Sequence, residues 1–187
     1  MSELKRDERV AVARLHALLE LLPTALDRQL VPAGLTSFEF TLIEALHDAE
    51  AGRLRLSALA SRTNATLPRL SRVVTALERK GLVMRAACEE DGRATNALLT
   101  DAGRRAYEAG RPVYEDAVRT MILDGLDDDD VDRLADLTYS ILTKLDPDRR
   151  LAITAADQGA VCAADPAMTD EPPVEDCPAD PPRAAVA

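Results

Sequence analysis

The run from Ser57 to Thr100 leaves this chain few folds. It opens with "SALASRT", where Ser57 can cap a short helix and Leu59 and Ala60 face one way. Asn64 follows, a residue that tolerates the left-handed conformation a tight turn between helices requires. Thr66 can cap a second helix, and Pro68 sits in its first turn, where a missing N–H costs nothing. From there Leu70, Val73, Val74 and Leu77 recur at helical spacing until Gly81 stops the helix. Two helices joined by so short a turn form a helix-turn-helix pattern. "LVMRAAC" and "ATNALLT" come next, each of strand length, and "EEDGR" between them carries an Asp-Gly turn signal. The alanines give weak strand propensity, so the turn carries most of the case for a hairpin.

The flanks are helical. Leu15, Leu18, Leu19, Leu22, Leu26 and Leu30 make one stripe of an amphipathic helix over residues 4–30. Pro23 lies inside the stripe and is expected to kink or interrupt it. After "PAG" at 32–34, Thr36 and Glu39 form a capping box, and Phe38, Leu42, Ile43 and Leu46 supply the next apolar face. Thr100 caps a helix expected over residues 101–123, bent at Pro112 and closed by Gly125. Asp127 caps a last helix with Val131, Leu134, Leu137, Ile141, Leu142 and Leu145 on its apolar side. The run "DDDD" at 127–130 is a solvated helix start, favourable at the positive end of the dipole. Beyond Pro147 the chain turns to Pro, Ala and acid without a periodic apolar face, and disorder is expected there. An acidic arm covering a basic surface is the alternative for that tail.

The fold class is therefore mainly α with a small β-hairpin wing: a winged helix-turn-helix domain plus a helical dimerisation region. Residues 1–34 form an N-terminal dimerisation helix and 35–100 the winged domain. Residues 101–146 form C-terminal dimerisation helices, and 147–187 a disordered acidic, Pro/Ala-rich tail. The terminal stripes are apolar over several turns, and a symmetric dimer buries both at once.

Composition narrows function. A hydrophobic fraction of 47% with 3% aromatics points to helices packed by aliphatic side chains. No run is long and apolar enough to span a membrane, and "MSELKRDERV" lacks the apolar core of a signal peptide, so a cytoplasmic location is expected. Three cysteines make neither a disulfide framework nor a zinc site, and the two histidines, His16 and His47, have no ligand partner at metal-binding spacing. No phosphate loop or nucleophile triad is present, so neither an enzyme nor a cofactor or metal is expected. Cys88, at the end of the first hairpin strand, reads as a small strand residue rather than a redox thiol.

The net charge of −10 hides a pattern. Residues 53–105 hold 11 Lys+Arg against 5 Asp+Glu, while the segments on either side are acidic. Such a block is a local electrostatic footprint for DNA or a merely solvated Arg-rich surface, and charge alone leaves both open. The second helix sharpens the choice. Its outer positions are Thr66, Arg69, Ser71, Arg72, Thr75, Arg79 and Lys80, with no acid until Glu78. Arginine bridges guanine or neutralises phosphate, and hydroxyls serve either. Bases are read from the N-terminal half of a recognition helix, which favours Thr66, Arg69 and Arg72 over Arg79. Arg93, at the hairpin tip, suits the negative potential of a narrow minor groove. Asp91 and Gly92 shape that tip, with Glu89 and Glu90 turned to solvent. The partner expected is double-stranded DNA with a palindromic site. The alternative is a winged-helix protein-interaction module, which would show apolar anchors on the same face.

At these residues the chain resembles the MarR-type winged-helix transcriptional regulators. The resemblance runs from about Leu35 to Gly103 and rests on "LTSFEFTLIEAL", "LRLSALASRT", "RLSRVVTALERKGLVMR" and "DGRATNALLTDAG". The combination of Leu-Glu-x-x-Gly-Leu-Val-x-Arg, Asp-x-Arg and Leu-Thr-x-x-Gly is specific. It implies a homodimer with interlocked terminal helices, a recognition helix at 66–80 and a wing arginine at Arg93. It further implies a repressor released by a small phenolic or anionic effector. Arg14 and His16 fall near the place of such a pocket and are the effector candidates.

Overall fold

A computed structural model describes residues 3–87 and 94–155. Helix α1 (Arg6–Leu30) leads through a 3-10 turn to α2 (Ser37–His47). Strand β1 (Arg53–Arg55) precedes α3 (Leu56–Arg62) and α4 (Leu67–Arg79). Strands β2 (Val83–Ala87) and β3 (Thr95–Leu99) follow, then α5 (Asp101–Val118), α6 (Asp128–Leu145) and the single turn α7 (Ala152–Ala155). Among the described residues no helix is long and apolar enough to cross a membrane.

The sheet has three strands in the order β1-β3-β2, all antiparallel. Val83 faces Leu99 and Ala87 faces Thr95, which is the expected hairpin, while Arg53 to Arg55 pair with Leu98 to Asn96. Strand β1 was not foreseen, since three residues are too few to show a period. Because it runs directly into α3, that helix starts at Leu56 with Arg55 in the cap position, and Ser57 lies inside the first turn rather than capping it.

The core is aliphatic: Leu30, Leu42, Ile43, Leu46, Leu59, Leu70, Val74 and Leu77 are wholly buried. Phe40, not Phe38, is the buried aromatic of α2; it stacks on Tyr107 at 5.5 Å and on Tyr114 at 4.4 Å between ring centroids. These contacts join α2 to α5. The capping box at Thr36 and Glu39 forms as expected.

Two prolines lie within helices without ending them. Helix α1 runs unbroken through Pro23, and α5 runs through Pro112. Pro23 is exposed, so the carbonyl it leaves unpaired is open to water, and Leu26 and Leu30 anchor the turns beyond it. The change of helical geometry comes after Pro112, in a π turn at Arg119–Leu123 that Gly125, at φ 85°, terminates.

The junction between sheet and α5 explains the Leu-Thr-x-x-Gly run. Leu99 is buried. Thr100 Oγ1 accepts from the Gly103 amide at 3.0 Å and lies 2.8 Å from the Gly81 carbonyl, to which it donates. A Cβ on Gly103 would lie 2.2 Å from the Leu82 carbonyl oxygen, so only glycine lets the helix approach so closely.

The segment after Leu145 is ordered farther than its composition implied. The Asp146 carboxylate accepts from the amides of Arg150 (3.0 Å) and Leu151 (2.9 Å) and from the Thr154 hydroxyl. Thr154 is fully buried, and Ser61 Oγ on α3 donates to the Arg150 carbonyl at 2.7 Å. This clasp ties the end of α6 to the helix-turn-helix. The tail was expected over 147–187, and its part from 156 to 187 lies outside the described residues.

Candidate nucleic-acid interface

Helices α3 and α4 pack through Leu59, Ala60, Leu70 and Val74, joined by a turn in which Asn64 takes φ 52°. The left-handed residue is what so tight a reversal demands, and asparagine supplies it with little strain. Thr66 occupies the N-cap position of α4, yet its side chain makes no capping bond, so its hydroxyl stays on the exposed helix end. Burial of Leu70, Val74 and Leu77 turns the opposite side of α4 to solvent, carrying exposed Arg69, Arg72 and Arg79.

These side chains differ in how they are held. The Arg69 guanidinium lies 4.2 Å above the Phe38 ring, so the half-buried phenylalanine of α2 is a platform for it. Such a contact is worth about 0.5–1 kcal/mol at an exposed site and restricts where Arg69 can reach. Arg72 Nε donates to the Pro68 carbonyl at 3.3 Å, one turn back. Thr75 is half-buried; its hydroxyl donates to the Ser71 carbonyl at 2.9 Å and accepts from Arg85 Nη2 at 3.1 Å.

Arg85 was not singled out from sequence. It stands on β2 and crosses to the wing-side flank of α4, where Nη2 also donates to the Ser71 carbonyl at 2.9 Å and approaches Ser71 Oγ at 3.3 Å. Its other guanidinium nitrogen pairs with the Glu78 carboxylate, which accepts the Arg85 backbone amide at 3.1 Å as well. The sole acid of α4 is thus neutralised within the protein. The signal was present in the Leu-Glu-x-x-Gly-Leu-Val-x-Arg run, where Glu78 and Arg85 lie seven apart across the helix-to-strand turn.

Lys80, though exposed, is tied down as a strut. Its ammonium donates to both oxygens of Glu39 at 2.8 Å and to the Gly34 carbonyl at 3.0 Å. Glu39 is buried and shared with the capping box of α2, so α4 and α2 are held at one angle.

Strands β2 and β3 are described up to Ala87 and from Thr95, and Cys88, Glu89, Glu90, Asp91, Gly92 and Arg93, with the expected hairpin tip, lie outside the described residues. Arg14 and His16 stand on the exposed outer stretch of α1. A shallow depression is lined by Arg119, Thr120, Leu123 and Asp124, with neither Arg14 nor His16 among its lining residues. No described group of three His, Cys, Asp or Glu could hold a metal ion.

The fold is found in known proteins. The MarR family profile matches residues 35–95. Sco3205, a MarR family transcriptional regulator from Streptomyces coelicolor solved in complex with DNA, is 31% identical, with TM-score 0.74 over 78% of this chain and 92% of that one. AbsC, a MarR family transcriptional regulator from the same organism, is 30% identical, with TM-score 0.74 over 79% and 99%. The regulator MOSR from M. tuberculosis, also solved with DNA, is 26% identical, with TM-score 0.60 over 72% and 97%. With its winged helix, its α4 flank and this kinship together, the chain belongs to the MarR family of winged-helix transcriptional regulators.

Proposed function

We propose that the protein is a homodimeric repressor that binds a palindromic double-stranded operator and leaves it when a small phenolic or anionic effector binds. The observation that carries DNA binding is the outer side of α4, where Arg69, Arg72 and Arg79 are exposed and the one carboxylate, Glu78, is already paired. In this reading residues 35–100 hold the duplex. Thr66, Arg69, Ser71 and Arg72 meet the major groove, Thr75 and Arg79 lie farther along the helix, and Arg93 enters the minor groove with Asp91 and Gly92 shaping its turn. Residues 1–34 and 101–146 pair the two copies, and Arg14 and His16 are the effector contacts. Two relatives solved on DNA support the reading.

A titration of the full chain against a duplex selected from a random pool tests it. Affinity falls steeply between low and physiological salt if phosphates anchor the complex. Arg72→Ala costs roughly 1–3 kcal/mol on the selected duplex and less on random DNA if the side chain touches a base. Arg93→Ala weakens binding while leaving dimer and fold intact. No retention on any duplex at low salt defeats the proposal.

One observation favours the rival protein-interaction module: Leu67, in the first turn of α4, is 53% exposed. A lone apolar side chain among arginines and hydroxyls is a poor anchor for a protein partner, and a thymine methyl suits it equally.

A further inference from the structure

The Arg85 contacts bind the wing to the recognition helix in a way that core packing alone does not. Leu70, Val74, Leu77, Val83 and Ala97 already hold α4 on the sheet, all at 2% exposure or less. Arg85 adds a bridge on the solvent rim. It reaches Ser71, Thr75 and Glu78, three positions on one flank of α4 spanning two turns, from a single point on β2. A packed aliphatic face tolerates small slides along the helix axis. A guanidinium fork bonded to a carbonyl, a hydroxyl and a carboxylate at once does not.

The charge matters as much as the geometry. Glu78 is the only carboxylate within residues 67–79, against Arg69, Arg72 and Arg79. Left bare beside a phosphate backbone it repels, and paired with Arg85 it does not. Both terminal nitrogens of Arg85, Nη1 and Nη2, have partners on α4, so the guanidinium is held against the helix flank.

We propose that Arg85 is a positioning residue for DNA binding: it locks the wing strand to the flank of α4 and cancels Glu78, so that helix and wing meet the duplex as one rigid piece. This rests on the DNA-binding reading above. Lysine is no substitute, because one ammonium cannot serve Glu78 and the Ser71–Thr75 pair together.

The experiment compares four full-length proteins on the duplex that the wild type selects from a random pool: wild type, Arg85→Lys, Arg85→Gln, and Arg85→Gln with Glu78→Gln. Affinity, hydroxyl-radical footprint and thermal midpoint are read for each. Arg85→Gln is expected to lose roughly 10- to 100-fold in affinity, the scale of a charge-assisted hydrogen bond, together with protection on the wing side of the footprint. Arg85→Lys recovers only part of the affinity. The double variant regains the salt-dependent part, as the bare carboxylate is gone, but not the wing protection.

Wild-type affinity and footprint in Arg85→Gln overturn the proposal. Full recovery by Arg85→Lys reduces the residue to a charge and overturns the geometric claim. A loss that follows only the fall in thermal midpoint, with no recovery in the double variant, makes Arg85 a stability residue and overturns it too. Failure of the wild type to select any duplex defeats the DNA-binding reading itself, which separates the two.

Discussion

Single residues at this surface are set by contacts outside their own helix. Phe38 looks like a core residue by spacing, yet it lies half-buried beneath the Arg69 guanidinium, while Phe40 fills the interior. Phe40 takes the buried place that spacing assigned to Phe38, because α2 packs on α5 and the aromatics of α5 lie over Phe40. Gly103 shows a close approach of the same kind. With the Leu82 carbonyl oxygen 2.2 Å and Leu99 Cδ1 2.5 Å from any Cβ, Gly103→Ala forces α5 off the sheet. We expect about 3 kcal/mol of destabilisation in urea unfolding, at the upper end for overpacking. A change within ±0.5 kcal/mol would mean that the junction yields freely.

At the scale of elements, the clasp from Asp146 to Thr154 has a pH signature. The Thr154 hydroxyl, and after it the Leu151 amide, hold the Asp146 carboxyl below its ordinary range. A carboxylate whose folded pKa is depressed contributes stability that is whole above the unfolded value and is lost as pH falls through the folded one. The clasp is therefore expected to release only below the usual aspartate range. The Leu151 amide resonance should follow it with a midpoint lower than that of a free aspartate, and Asp146→Asn should abolish the transition. Glu44, on the α2 side facing α5, has the opposite sign. Burial first, and then the Asp48 charge, raise its carboxyl, so its protonated form is favoured in the fold and stability declines as pH rises through that window.

For the whole molecule the decisive fact is what one chain leaves uncovered. Leu18, Leu19 and Leu21 on α1 are 50%, 63% and 69% exposed, and Leu137 and Leu145 on α6 are 66% and 75% exposed. Two helices with apolar faces in water support a second copy as their cover. Leu18→Asp with Leu137→Asp is expected to shift sedimentation from dimer to monomer, since an unpaired charge in such an interface costs about 3–5 kcal/mol. Affinity for the selected duplex should fall with it, because two recognition helices no longer act together. A monomeric wild type would remove the two-fold arrangement altogether.

Local chemistry determined the punctuation of this chain. Asn64, Gly81, Thr100 and Asp127 each carry their instruction in a side chain or the lack of one, and the structure uses them as caps and turns. The helical stripes were legible for the same reason, since a period of 3.6 records which side is buried. Tertiary structure alone decided the pairing of β1 with β3, the passage of α1 through Pro23, and the partners of Glu39, Glu78, Ser71 and Thr75. Those depend on which segments meet across distances of 7 to 46 residues, and hydrogen-bond geometry between such groups exists only once the core has brought them together.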